Sequence, residues 1–459
     1  MMRRKEGIKR WLERSGSLPL NISISTGSSS RLPSIDGQTQ DIAILADVLR
    51  VFSMHSHRWR SVIFTGDPQA KSPAIWAPFA ELKKDELPQL QDFRTFSSLM
   101  SFDSRWQIVP TTLASLVTRS TSLTTLHVTN EQSISTILEL QVSWTSIKEL
   151  HLTSSESERW DPALITRKVA KLCPSLVSFK LKLWTSWISG STTTSHPLLP
   201  SLHWPRLRSF DLTIVDCQRD HLNKKLSGAF WRALQGMTAP ALTHLSLKAE
   251  VARASCYPRH ELSSAVGVPA VEPVSRLPFQ DMISESGCTI SHLSLSGIFL
   301  MDEGALIHAL ELVPSLTSLT LTDCANRIFI VPLGHNPTIP HHKLAACLNS
   351  LSSSADLCPD IAEMSISACQ IDNIEPIVSF AKARSTKLKR LSVDFGAITK
   401  EGGDKVAQIT SSTDISDSLH HLRENRGIKV DWKWTASKFS LNETYNMHSR
   451  PYTGMEIQN

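Results

Sequence analysis

Leu123-Thr124-Thr125-Leu126-His127-Val128 and Ile147-Lys148-Glu149-Leu150-His151-Leu152 are two copies of one phrase: apolar, two variable residues, apolar, one variable residue, apolar. It returns at 176–181, 207–212, 242–247, 290–295, 316–321, 361–366 and 388–393. The last two apolar positions are two residues apart, which is the strand period, so they face one way and the residue between them faces the other. One such strand cannot bury its face alone, whereas a parallel stack builds a shared core. First positions lie from 24 residues apart (147 − 123) to 48 apart (290 − 242). Several units therefore exceed the roughly 20–29 residues of a simple leucine-rich repeat, and the excess is assigned to helices and surface loops.

The linkers read as helices. Asp161 to Leu172 carries Ile165, Val169 and Leu172 at helical spacing, and Asp302 is placed to cap a helix through Leu306 and Leu310. In Leu172-Cys173-Pro174-Ser175-Leu176, Leu312-Val313-Pro314-Ser315-Leu316 and Leu357-Cys358-Pro359-Asp360-Ile361 a proline precedes the strand phrase by two residues. Proline ends a preceding helix and marks the corner into the strand. Parallel strands joined by helices give an α/β fold, here an irregular leucine-rich-repeat solenoid with strands on the concave face and helices on the convex face.

Weaker copies extend the series: Trp59-Arg60-Ser61-Val62-Ile63-Phe64, and Leu90-Gln91-Asp92-Phe93-Arg94-Thr95 with a polar last position. At the far end Ile428 to Trp432 reads as a terminal strand. The chain divides into an N-terminal capping region (1–58, with a strand, a Ser/Gly-rich loop at 25–40 and a helix over 41–51), a solenoid (59–434) and a polar C-terminal tail (435–459). Long loops are expected near 253–288 and 325–343, both rich in Pro and Gly, and Gly402-Gly403 reads as a turn.

Composition narrows the class. Over 459 residues the net charge is +5 with a pI near 8.7, too weak a balance to point to nucleic acid. No apolar run approaches the ~20 residues of a membrane helix, and no apolar signal segment follows Met1, so an intracellular site, cytoplasmic or nuclear, is expected. The eight cysteines form no CxxC pair and are expected as reduced, mostly buried thiols. Phosphate-loop, GxSxG, HExxH and dinucleotide fingerprints are missing, so neither catalysis nor a cofactor is expected.

Trp11-Leu12-Glu13-Arg14-Ser15-Gly16-Ser17-Leu18-Pro19-Leu20 with Asn21 to Ile24, and His55-Ser56-His57-Arg58-Trp59-Arg60-Ser61-Val62, resemble segments of fungal (basidiomycete) F-box proteins. In that family these phrases lie downstream of the F-box and lead into irregular leucine-rich repeats, so the resemblance spans essentially the whole chain. It implies a non-enzymatic protein-binding module, the substrate-recognition part of a ubiquitin-ligase receptor. The F-box itself binds the Skp-type adaptor of a cullin–RING ligase. Ten residues precede Trp11, too few for an F-box, so binding of that adaptor is not expected of the chain as given. The rival reading is a vestigial or structural protein from a truncated gene. Read as residues, Trp11 and Trp59 are expected as apolar anchors, and one or both of Arg58 and Arg60 should face solvent or meet a carboxylate.

The residue between the last two apolar positions faces outward and would meet a partner protein. That row runs His127, His151, Lys180, Asp211, Ser246, Ser294, Thr320, Ser365 and Ser392; the row two residues earlier includes Glu149, His244 and His292. Partner-binding candidates are His127, His151, Lys180, Asp211, Glu149, His244 and His292. The histidines are expected to be solvated, with no carboxylate or cysteine completing a metal set, so no metal site is expected.

Overall fold

The computed structural model describes residues 2–26, 46–66, 77–79, 82, 87–97, 116–129, 134–154, 161–185, 201–216, 230–251, 277, 279–296, 303–322, 342–369, 375–397, 421–424 and 427–436. The chain forms two compact units: Met1–Leu247 with Ala252–Val268 and Pro278–Thr289, and Lys248–Val251 with Pro269–Leu277 and Ile290–Asn459.

In the first unit β1 (Leu20–Thr26), β2 (Trp59–Gly66), β3 (Asp92–Ser97), β4 (Thr125–Thr129), β5 (Glu149–Thr153), β6 (Ser178–Thr185), β8 (Ser209–Asp216) and the first half of β10 (His244–Val251, of which Lys248–Val251 belongs to the second unit) follow one another across a sheet in chain order. Every pairing from β1 through β8 is parallel. Two short strands, β7 (Leu202–His203) and β9 (Met237–Thr238), pair separately. In the second unit β11 (His292–Ser296), β12 (Ser318–Thr322), β13 (Glu363–Cys369), β14 (Arg390–Ala397) and β15 (Lys429–Ala436) are likewise parallel and in chain order. Each phrase supplies one of these strands, the two weak N-terminal copies and the C-terminal one included. The N-terminal region contributes β1 to the first unit's sheet.

The register explains the phrase. Leu126, Leu150, Phe179 and Phe210 are partners across β4, β5, β6 and β8, and all are at most 1 % exposed. Each such side chain removed from water contributes about 1.5–3 kcal/mol. The second residue of the phrase fastens one repeat to the next through its carbonyl, which accepts two successive N–H groups. Thr124 O takes Lys148 and Glu149, Lys148 O takes Val177 and Ser178, and Val177 O takes Arg208 and Ser209. Ser291 O, Thr317 O and Ala362 O do the same in the second unit. The strand start is thus held whatever the length of the preceding linker.

The corners are three-residue-apart turns. Leu176 N bonds Cys173 O, Leu316 N bonds Val313 O and Ile361 N bonds Cys358 O, with proline at the second position, where its fixed φ suits the turn. Leu87-Pro88, Trp204-Pro205 and Ala239-Pro240 open the same turn onto Leu90, Leu207 and Leu242.

The linkers are helical where expected and in several further places. Helix α1 (Met2–Arg14), α2 (Ile134–Leu138), α3 (Pro162–Leu172), α4 (Phe279–Ser286), α5 (Glu303–Glu311), α6 (His342–Ser353) and α7 (Glu375–Ala383) alternate with strands, and residues 46–53 are helical. Asp161 caps α3 by accepting from Ala163 N at 2.9 Å. Helix α4 corrects the reading of 253–288 as loop throughout: Met282 and Ile283 are buried, and Gly287 takes φ +59° just after the helix, a conformation glycine adopts without strain. Residues 27–40, 323–341, 402–403 and 437–459, together with Asp302, lie outside the described residues.

Three buried arginines close helix ends. Arg58 donates to Leu18 O (3.0 Å), Leu12 O (3.2 Å) and Ser15 Oγ (2.7 Å). Arg167 reaches Gln235 O at 2.8 Å and Arg384 spans the residues after α6. Of the two arginines flanking Trp59, Arg60 is exposed, as expected of at least one of them, while Arg58 is 4 % exposed and meets carbonyls. It ties the His55–Val62 phrase to the Trp11–Leu20 phrase. Trp59 is the expected anchor at 1 % exposed, but Trp11 is 54 % exposed and its neighbour Leu12, at 0 %, takes the core position.

Candidate functional site

The sheet of the first unit buries one set of alternating side chains and leaves the other polar. On the polar set, Arg94 pairs in register with His127, His127 with His151, His151 with Lys180, and Lys180 with Asp211. Parallel neighbours lie about 4.8 Å apart, so this row crosses five strands from β3 to β8. The structure thus brings together His127, His151, Lys180 and Asp211 as expected, with Glu149 from the row before.

Side chains of the two rows are bonded to one another. Arg94 Nε donates to Asp92 Oδ1 at 2.8 Å, and Ser61 Oγ donates to Asp92 Oδ2 at 2.9 Å. His127 Nε2 meets Glu149 Oε1 at 2.9 Å, and the rings of His127 and His151 lie edge to face with centroids 5.4 Å apart. His151 Nε2 is 3.5 Å from Thr153 Oγ1. Lys180 Nζ is 3.8 Å from Asp211 Oδ2, and Thr213 Oγ1 donates to Asp211 Oδ1 at 3.4 Å. Lys182 Nζ lies 5.9 Å from the centre of the Trp184 ring.

One expectation is corrected. His127 is not solvated: it is 7 % exposed, packed among Arg94, Glu149 and His151. Glu149, displaced two residues along β5, reaches diagonally to it. Among the described residues no group of three or more His, Cys, Asp and Glu side chains is placed to hold a metal ion.

Burial sets the protonation of the pair. It lowers the pKa of His127, against the opposing pull of the Glu149 bond. His151 falls from 6.5 to about 4, first through burial and then through Lys180 and His127, with Asp211 opposing. Both rings are therefore neutral at pH 7. Neutral imidazole offers one donor and one acceptor, and the face as a whole offers three carboxylates, two ammonium groups and a guanidinium.

The other two candidates stand apart from this cluster. His244, in the first unit, has Nδ1 2.8 Å from Thr243 Oγ1, and His292, in the second, has Nδ1 2.8 Å from Ser291 Oγ; both are exposed. In the second unit the outward row is Ser294, Thr320, Ser365 and Ser392, in register and ending at Asp431, which Arg390 approaches to 3.2 Å.

Sequence reasoning missed Asp92 and Arg94, which extend the cluster onto β3. The degenerate phrase 90–95 already placed Arg94 between Phe93 and Thr95, the outward position, and reading that copy into the row would have found it. No protein-family model and no curated protein matches the chain. Among the described residues no helix is long and apolar enough to cross a membrane.

Proposed function

We propose that this chain is a non-enzymatic protein-binding module, an irregular leucine-rich-repeat solenoid that serves as the substrate-recognition part of an F-box-like ubiquitin-ligase receptor. The observation carrying this reading is the two-sidedness of the first unit's sheet. One set of side chains is apolar and buried. The other presents charged and imidazole groups in strict register across five strands, with Lys180 and Glu149 side chains 46 % and 43 % exposed. A regular polar face on a rigid parallel scaffold suits recognition of an extended protein surface. The repeat phrase and the two N-terminal phrases that resemble fungal F-box proteins set the class.

Capture of cellular proteins on the tagged chain tests it, with Lys180→Glu/Asp211→Lys as the comparison. The expected result is a specific protein retained by the unaltered chain and lost from the variant, with circular dichroism unchanged. Identical retention by both would refute the assignment of this face.

A further inference from the structure

We propose that the space before His151 is a subsite for a carboxylate carried by the protein partner, and that filling it takes up one proton. This rests on the reading of the face as a partner-binding surface and adds the chemistry of what is bound. Arg94, His127, His151 and Lys180 occupy matching positions on four consecutive strands. Three of the four have an acid of their own: Asp92 at 2.8 Å from Arg94, Glu149 at 2.9 Å from His127, and Asp211 at 3.8 Å from Lys180. His151 is bonded to no carboxylate among the described residues. Its contacts are the Thr153 hydroxyl at 3.5 Å and the His127 ring. The row is a series of acid–base pairs with the acid missing at one place.

The charges around that place favour an anion. His151 faces His127 from β4, Lys180 and Lys182 from β6 and Asp211 from β8, with Glu149 on its own strand bonded to His127. Beyond burial, the ammonium groups of Lys180 and Lys182 disfavour a proton on the ring, and Asp211 favours one. The same two positive charges attract a carboxylate. The Lys180–Asp211 contact is long and the lysine side chain is 46 % exposed, so exchanging a share of it for an incoming acid costs little. Once a carboxylate is present, the charged form of His151 gains a counter-ion and the ring binds a proton. A phosphate suits the place less well: the one guanidinium in the row, Arg94, is already bonded to Asp92.

The probes are hexaglutamate and hexalysine peptides, titrated calorimetrically into the whole chain in two buffers of different ionisation enthalpy. Imidazole resonances of His151 are followed by NMR. Hexaglutamate is expected to bind with uptake of one proton and to tighten by up to ~10-fold per pH unit between pH 7 and 5.5. His151→Gln should bind it with no such pH dependence, and Lys180→Met should weaken it at every pH. Hexalysine binding as tightly, an unmoved His151 resonance, or a pH slope that survives in His151→Gln would each overturn the proposal. If hexaglutamate behaves as stated but no cellular protein is captured, the binding-module reading fails and the subsite stands. If a captured partner is retained by His151→Gln at every pH, the subsite fails and the module stands.

Discussion

Replacing Arg384 by methionine should destabilise the second unit by about 4 kcal/mol. The residue is 6 % exposed, and its guanidinium makes five hydrogen bonds to four carbonyls: Leu351 O at 3.0 and 2.9 Å, Ala355 O at 3.2 Å, Ser354 O at 2.7 Å and Leu357 O at 2.7 Å. These carbonyls close the C-terminal turn of α6, where the helix dipole also favours a cation. A simple sum for charged donors, about 1.5–3 kcal/mol per bond, overstates the loss because some acceptors recover water. Ser354 and Ala355 are exposed residues, so their carbonyls recover it. Leu351 and Leu357 are buried, and their two carbonyls would be left unsatisfied at about 1–3 kcal/mol each. Methionine keeps the aliphatic contacts, so the loss isolates the guanidinium. Lysine should rescue only part, since one ammonium cannot span all four acceptors. Guanidinium denaturation followed by circular dichroism measures the change, and hydrogen exchange over 345–357 localises it. A loss below about 1 kcal/mol, with exchange in α6 unchanged, would refute the claim that this arginine closes the helix.

Three further outcomes follow from the same structure. His151 has its pKa lowered from 6.5 to about 4 on folding, so the unfolded chain takes up the proton first. Its contribution is complete above pH 6.5 and is lost as pH falls toward 4, at most about 3 kcal/mol; urea midpoints at pH 7.5, 6 and 5 should decline, and His151→Gln should flatten the decline. Burial pushes the Cys173 and Cys358 thiols up to about 12, and Cys358 Sγ donates to Leu310 O at 3.3 Å. Both should resist a disulfide reagent at pH 8 until denaturant is added, which mapped mass spectrometry reads directly; rapid native labelling would contradict their burial. Trp11→Ser should shift stability by no more than about 0.5 kcal/mol, whereas Trp59→Ala should cost about 3–5 kcal/mol by thermal melting; comparable costs would mean that Trp11 is covered in solution.

What was legible in the sequence, and what was not, divides along one physical line. The strand phrase was legible because its buried positions are filled almost without exception by apolar residues, and burial of apolar area needs no particular partner. Helix α1 went unread, and with it the phase that moves Trp11 out: Ile8 and Leu12, four apart, share a face, which leaves Trp11 on another. The turns at Pro88, Pro205 and Pro240 went unread because the leucine two residues before the proline in the other corners is replaced there by Glu86, His203 and Thr238. The buried arginines were illegible for a different reason. Arg167 meets Gln235 O across 68 residues and Arg58 meets Leu12 O across 46. Their partners are backbone carbonyls, which every residue carries, so no residue type marks the acceptor.

The polar face combines both kinds of information. Register follows from the phrase, so the row His127, His151, Lys180, Asp211 could be written down in order before any coordinates. Reach does not follow from it. Glu149 belongs to the row behind, yet it bonds His127, because a glutamate side chain extends far enough to cross one strand diagonally. That diagonal bond satisfies His127 and leaves His151 as the basic group in the row without an acid. The distinction between the two histidines, identical in the repeat, therefore comes from one side chain two residues out of line, and it is on this asymmetry that the proposed carboxylate subsite rests.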